Sequence, residues 1–123
     1  LFRSAAGAGK EVDYNMGIIN INKGNYSQAV NNFGSVCLFN AALAQMLNGD
    51  NAKAMKTLNC VDEACVMTDY LKAVVYARQG KADNMYKALE AAVSGMPKLK
   101  GLAKTDVEFG KYFADSKFQS IVK

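Results

Sequence analysis

A glycine turn returns three times in this chain, at Gly24, Gly49 and Gly80, with the same local grammar around it each time. The stretches run Lys23-Gly24-Asn25-Tyr26-Ser27-Gln28-Ala29, Asn48-Gly49-Asp50-Asn51-Ala52-Lys53-Ala54 and Gln79-Gly80-Lys81-Ala82-Asp83-Asn84-Met85. Five residues after the glycine stands Ala29, Ala54 or Met85, and four further on a large apolar residue, Phe33, Leu58 or Leu89. The glycines are 25 and 31 residues apart, and self-similarity at such a spacing marks a repeat array.

Each copy reads as a helix, a tight turn and a second helix. The glycine takes the left-handed backbone conformation that ends the first helix. Asn25 and Asp50 are good N-caps for the second, and Lys81 is a poor one. Apolar-periodic segments precede the turns at residues 12–21, 38–47 and 70–79. Small residues recur within them at Gly17, Ala42 and Ala73, each seven before its glycine. Facing Ala29 and Ala54, they would let two helix axes approach closely.

This pattern resembles the tetratricopeptide repeat. Residues 14–33, YNMGIININKGNYSQAVNNF, are the closest copy, with Gly17, Ala29, Tyr26 and Phe33 where that family places small and aromatic residues. The second copy keeps Ala42, Gly49, Ala54 and Leu58 but has Asn51 in place of the turn tyrosine. The third keeps Ala73, Tyr76, Gly80 and Leu89, with Met85 in the small position. The resemblance implies an all-α fold, an α-solenoid of about three helix pairs, over residues 11–36, 37–61 and 64–95. The family period is longer than these spacings, so shortened helices or loops are implied.

Two flanks complete the domain organisation. Residues 1–10 read as the tail of a preceding repeat followed by a loop, Gly7 to Lys10. That loop is not a phosphate loop, because Glu11 stands where a serine or threonine is needed. A chain starting at Leu1 in such a place is expected to be part of a longer protein. Residues 96–123 read as C-terminal capping helices, opened by Pro97. Capping boxes are expected at Thr105 with Glu108 and at Ser116 with Gln119. The apolar set Leu102, Val107, Phe109, Phe113, Phe118, Ile121 and Val122 would then cover the open edge of the last pair.

Composition adds exclusions. Half of the 123 residues are hydrophobic and 21% are charged, which fits a packed domain rather than a disordered chain. No apolar run approaches the roughly 18 residues that span a bilayer. There is no histidine, so neither a Ser–His nor a Cys–His nucleophile can form within the chain. Asp62 and Glu63 read as helix-start charges rather than an acid–base pair. Cys37, Cys60 and Cys65 make no zinc pattern. Free, buried cysteines are the favoured reading, and pairing of Cys60 with Cys65 requires a turn between them. Met16, Met46, Met55 and Met85 fall on apolar faces and read as core. No metal, cofactor or enzymatic activity is expected. The net charge of +4 comes with a lysine-rich C-terminal end. A basic nucleic-acid-binding surface there is a secondary alternative, although the lysines are interleaved with acids and nucleic acid is not the expected partner.

By the resemblance, the first helices line a concave groove carrying Tyr14, Ile18, Asn22, Asn40, Leu43, Leu47, Tyr70, Val74 and Arg78. Of the carboxylate-clamp positions of the family's co-chaperone members, occupied here by Tyr14, Ile18, Asn40, Met67 and Leu71, only Asn40 matches, so a heat-shock tail is not the expected ligand. The implied function is a non-enzymatic scaffold, part of a larger bacterial protein, with a protein or peptide partner and a cell-envelope or periplasmic setting. A purely structural or self-associating module is the alternative.

Overall fold

The computed structural model describes the backbone of residues 6–61 and 66–123, with side chains from Asp13 onward. The chain is all-α. It divides into two compact units, Leu1–Asp62 and Glu63–Lys123.

The first unit holds α1 (Ala6–Asn22), α2 (Tyr26–Phe33), α3 (Phe39–Leu47) and α4 (Asn51–Cys60). Helix α1 packs on α2, α2 on α3, and α3 on α4, while α1 also touches α3. The segment Gly7–Lys10, expected as a loop, is helical and belongs to α1. Residues 1–5, read as the end of an earlier helix, lie outside the described residues, as do Asp62, Glu63 and Cys65.

The second unit holds α5 (Val66–Arg78), α6 (Ala82–Gly95), α7 (Leu99–Thr105), a 3-10 helix (Val107–Tyr112) and α8 (Ser116–Ile121). Helices α5 and α6 form its main pair. The 3-10 helix lies on α5, and α7 and α8 lie on α6.

The three turns are built alike. Gly24, Gly49 and Gly80 all have positive φ, at 80°, 92° and 73°. The amide of each glycine donates to the carbonyl three residues back: Ile21, Met46 and Ala77. The next amide, of Asn25, Asp50 or Lys81, donates to the carbonyl five back: Asn20, Gln45 and Tyr76. This bond pair is the Schellman motif, and only glycine adopts its left-handed residue without strain. The residue that closes one helix also opens the next. Asp50 caps α4 by accepting from the Lys53 amide at 3.1 Å. Asn25, expected to cap α2 in the same way, holds the N-cap position without a side-chain cap bond. Lys81 makes none either.

Small residues occupy the helix crossings. Ala29, Ala42, Ala54 and Ala73 are fully buried. A Cβ added to Gly17 would stand 2.5 Å from the Phe33 ring, so glycine is what lets that ring lie on α1. Phe33 joins Ala29, Ala41 and Ala44 in the core of the first unit, with Ile18, Ile21 and Val30 packed around them. Met46 and Met85 are buried as expected, whereas Met16 is 40% exposed because it points away from this core.

A polar pair at the helix crossing also recurs. Asn20 donates to Asn32 at 2.7 Å, and Thr57 donates to Gln45 at the same distance. Both pairs join a residue four before the turn glycine to one eight after it. Asn20, Gln45 and Thr57 are buried and Asn32 half-buried, so each bond satisfies polar groups shielded from water and ties the two helices in one register. The third copy places Tyr76 and Ala88 there, a large and a small residue instead of two polar ones.

The cysteines differ from expectation. Cys37, between α2 and α3, is bonded to Cys60 at the end of α4, with Cα atoms 5.5 Å apart. Both residues are exposed and bonded to each other, so they are neither core nor free. The fold, not local spacing, brings them together across a separation of 23 residues. Closing a loop of that length removes about 3 kcal/mol of unfolded-state entropy.

Candidate functional site

The expected groove residues meet different fates in the two units. In the first, Tyr14 on α1 and Asn40 on α3 come together: the Asn40 amide donates to the Tyr14 hydroxyl oxygen at 2.7 Å. Tyr14 also packs edge-on against Phe33, with ring centroids 5.5 Å apart. Ile18 belongs to the apolar cluster around Phe33. Leu43 and Leu47 are half-buried, and Asn22 is exposed on the last turn of α1.

Beside Tyr14 lies a cavity of about 330 Å³, lined by Asp13, Tyr14, Asn32, Phe33, Val36 and Leu38. Its walls are mostly apolar. Three of them stand open to solvent: Tyr14 at 36%, Val36 at 42% and Leu38 at 43% exposure. Val36 and Leu38 come from the connection between α2 and α3. Val36 ends the first repeat and Leu38 opens the apolar segment 38–47, but neither stands at a position that the resemblance assigns to the groove, and sequence reasoning therefore missed them as site residues.

In the second unit the corresponding face is occupied by the chain itself. Tyr70 stands ten residues before Gly80, as Tyr14 stands ten before Gly24. The Tyr70 hydroxyl donates to Asp106 Oδ2 at 2.7 Å, and its ring packs edge-on against Phe109. Val74 is buried. Arg78 forms a two-pronged bond with Glu108, Nε to Oε1 at 2.9 Å and Nη2 to Oε2 at 2.6 Å. Planar guanidinium and carboxylate groups match in this geometry, which orients the segment as well as attracting it.

The covering segment uses one device twice. Asp106 and Asp115 each stand three residues before a buried phenylalanine, Phe109 and Phe118. Each accepts a tyrosine hydroxyl, Asp106 from Tyr70 and Asp115 from Tyr86 at 2.6 Å. The other oxygen of each carboxylate accepts a backbone amide, that of Glu108 or Lys117. These aspartates, not Thr105 and Ser116, are the N-caps; the Thr105 hydroxyl turns back to the Leu102 carbonyl. Of the expected covering set, Phe109, Phe118 and Val122 are buried and Ile121 half-buried. Leu102 and Phe113 are exposed, and Val107, at 86% exposure, faces solvent because the 3-10 turn points Phe109 inward and Val107 out.

These contacts make the second unit sensitive to pH at both extremes. Burial first, then the hydrogen bond to an aspartate, pushes the Tyr70 and Tyr86 hydroxyls well above the usual phenol range. Their contribution is complete below about pH 10 and is lost above it, where the unfolded tyrosines ionise and the folded ones resist. The hydrogen bond from Tyr86, then the Lys117 amide, holds the Asp115 carboxyl below its ordinary value. That contribution is present above about pH 4 and is lost as pH falls through the folded value. The urea midpoint is therefore expected to be flat between these limits and to fall on either side. In Tyr86→Phe both slopes are expected to shrink, which urea titrations at pH 3, 7 and 11 would read.

Among the described residues, no group of three or more histidine, cysteine, aspartate or glutamate side chains is arranged to hold a metal ion. No helix among them is long and apolar enough to cross a membrane. Comparison with family models, with curated proteins and with solved structures finds no match to the chain.

Proposed function

We propose that the chain is a non-enzymatic scaffold of tetratricopeptide type, part of a larger bacterial protein, whose first unit presents the Tyr14 face to a protein or peptide segment. The three like glycine turns and the small residues at the crossings support the repeat reading. The contrast between Tyr70 and Tyr14 carries the binding reading. Tyr70 is 6% exposed beneath Asp106 and Phe109, while Tyr14 is 36% exposed beside an apolar cavity. Asn40 donates to the Tyr14 oxygen, so that bond leaves the Tyr14 O–H to donate. Apolar walls with a few convergent polar groups suit an apolar side chain carried on a polar backbone. The Cys37–Cys60 disulfide supports an oxidising setting such as the cell envelope.

The second unit favours a structural role, since its own C-terminal segment fills the face of α5 that carries Tyr70, Val74 and Arg78. The test compares the wild-type chain with a Tyr14→Ala, Leu38→Ser variant in affinity capture from the source organism, followed by titration of the captured partner. Loss of two apolar anchors is expected to weaken binding by tenfold or more, at about 1–2 kcal/mol each, with helicity retained. A partner bound equally by both chains, or a chain that only self-associates by solution mass, would overturn the binding reading and leave the structural one.

A further inference from the structure

We propose that the Cys37–Cys60 disulfide is a redox control on the Tyr14 cavity: oxidised, it holds two of the cavity walls in place, and reduced, it releases them. The inference concerns regulation of the site proposed above and rests on that reading for its biological use.

The geometry is local. Helix α2 ends at Gly34, whose amide donates to the Val30 carbonyl and whose φ of 65° turns the chain away. Helix α3 is entered through Leu38, whose carbonyl accepts the Ala42 amide. Between these anchors run Ser35, Val36 and Cys37. Val36 and Leu38, on either side of Cys37, are walls of the cavity, yet each is more than two-fifths exposed. Side chains with so much surface in water contribute little burial to hold their segment. The covalent tie to Cys60 at the end of α4 therefore restrains it. Helix α3, whose Ala41, Ala42 and Ala44 are fully buried, does not depend on that tie to the same degree.

The chemistry needs a dithiol reductant, of the kind dithiothreitol stands in for. One of its thiolates attacks a sulfur of the exposed pair and breaks the S–S bond, forming a mixed disulfide. Its second thiol resolves this intermediate. Cys37 and Cys60 end as thiols, and the reductant leaves as a disulfide, having given two electrons and two protons. An oxidant of the disulfide class reverses the exchange.

The test uses the full chain in a Cys65→Ser background, so that no third thiol takes part. Methyl NMR follows Val36 and Leu38 against Leu43 and Leu47 before and after dithiothreitol. In parallel, 1-anilinonaphthalene-8-sulfonate probes the cavity. Reduction is expected to narrow and shift the Val36 and Leu38 signals, leave Leu43 and Leu47 in place, and change the dye's affinity at least threefold. A Cys37→Ser, Cys60→Ser variant is expected to match the reduced state and to ignore the reductant. Unchanged Val36 and Leu38 signals, or all four residues moving together with loss of helicity, would overturn the proposal in favour of a plain structural staple. The readout needs no partner. Tyr14-dependent binding with silent methyls would sink only the redox inference, and responsive methyls without Tyr14-dependent binding would sink only the scaffold reading.

Discussion

Phe109→Ala is expected to cost about 3–5 kcal/mol, the range for removing a buried aromatic side chain. Phe109 is fully buried, packed against Tyr70 and Phe118, with ring centroids 5.7 and 5.8 Å away. Beside the ring, the segment that carries it is held to α5 by the Tyr70–Asp106 hydrogen bond and the Arg78–Glu108 pair. The 3-10 helix is six residues long, Val107 faces solvent, and the Arg78–Glu108 pair is partly exposed. Exposed ion pairs contribute about 0–1 kcal/mol, so the ring, with the Tyr70–Asp106 hydrogen bond, does more than the ion pair to keep the segment on α5. The variant should lower the urea midpoint and expose residues 106–123 to proteolysis before α5 and α6 open. Arg78→Ala, by contrast, should move the midpoint by less than about 1 kcal/mol in equivalent stability. If the two variants are equally destabilising, the ion pair holds the cap and the ranking is reversed.

Phe33→Ala is expected to destabilise the first unit by a similar amount, about 3–5 kcal/mol. Phe33 is 4% exposed, contacts Tyr14, and lies where a Cβ on Gly17 would clash. The other two copies solve the same crossing differently. Ala42 accompanies Leu58, and Ala73 accompanies Leu89, at the positions that hold Gly17 and Phe33 in the first. All four are fully buried or nearly so. A glycine with a large ring thus replaces an alanine with a leucine. Gly17→Ala alone should cost about 1–3 kcal/mol through overpacking, reduced by the roughly 0.5–1 kcal/mol that alanine gains over glycine inside a helix. Phe33→Leu alone should leave a void. Together they should recover stability, with a coupling of about 1–2 kcal/mol in a double-mutant cycle. Additive losses would show that the equivalence of the three crossings is one of sequence only.

The legible part of the molecule was its local part. Each turn glycine could be read because a positive φ is a property of one residue in its own chain segment. The buried alanines could be read because their spacing repeats along a helix. Phe109 and Phe118 announced themselves as core by size and pattern. The candidate site was read only in part: Tyr14 and Asn40 were named and do meet, but Val36 and Leu38 stand outside the groove positions that the repeat pattern assigns.

What the sequence by itself determined is the all-helical chain, the three like turns and the small residues at the crossings, since each depends on residues a few positions apart. Only the tertiary structure decided that Cys60 pairs with Cys37, that Asp106 and Asp115 serve both as caps and as tyrosine acceptors, and that Tyr70 is covered by the C-terminal segment while Tyr14, among the described residues, is 36% exposed. Those outcomes join groups 23, 36 and 29 residues apart. They depend on which helix faces meet in space, and spacing along the chain does not encode that meeting.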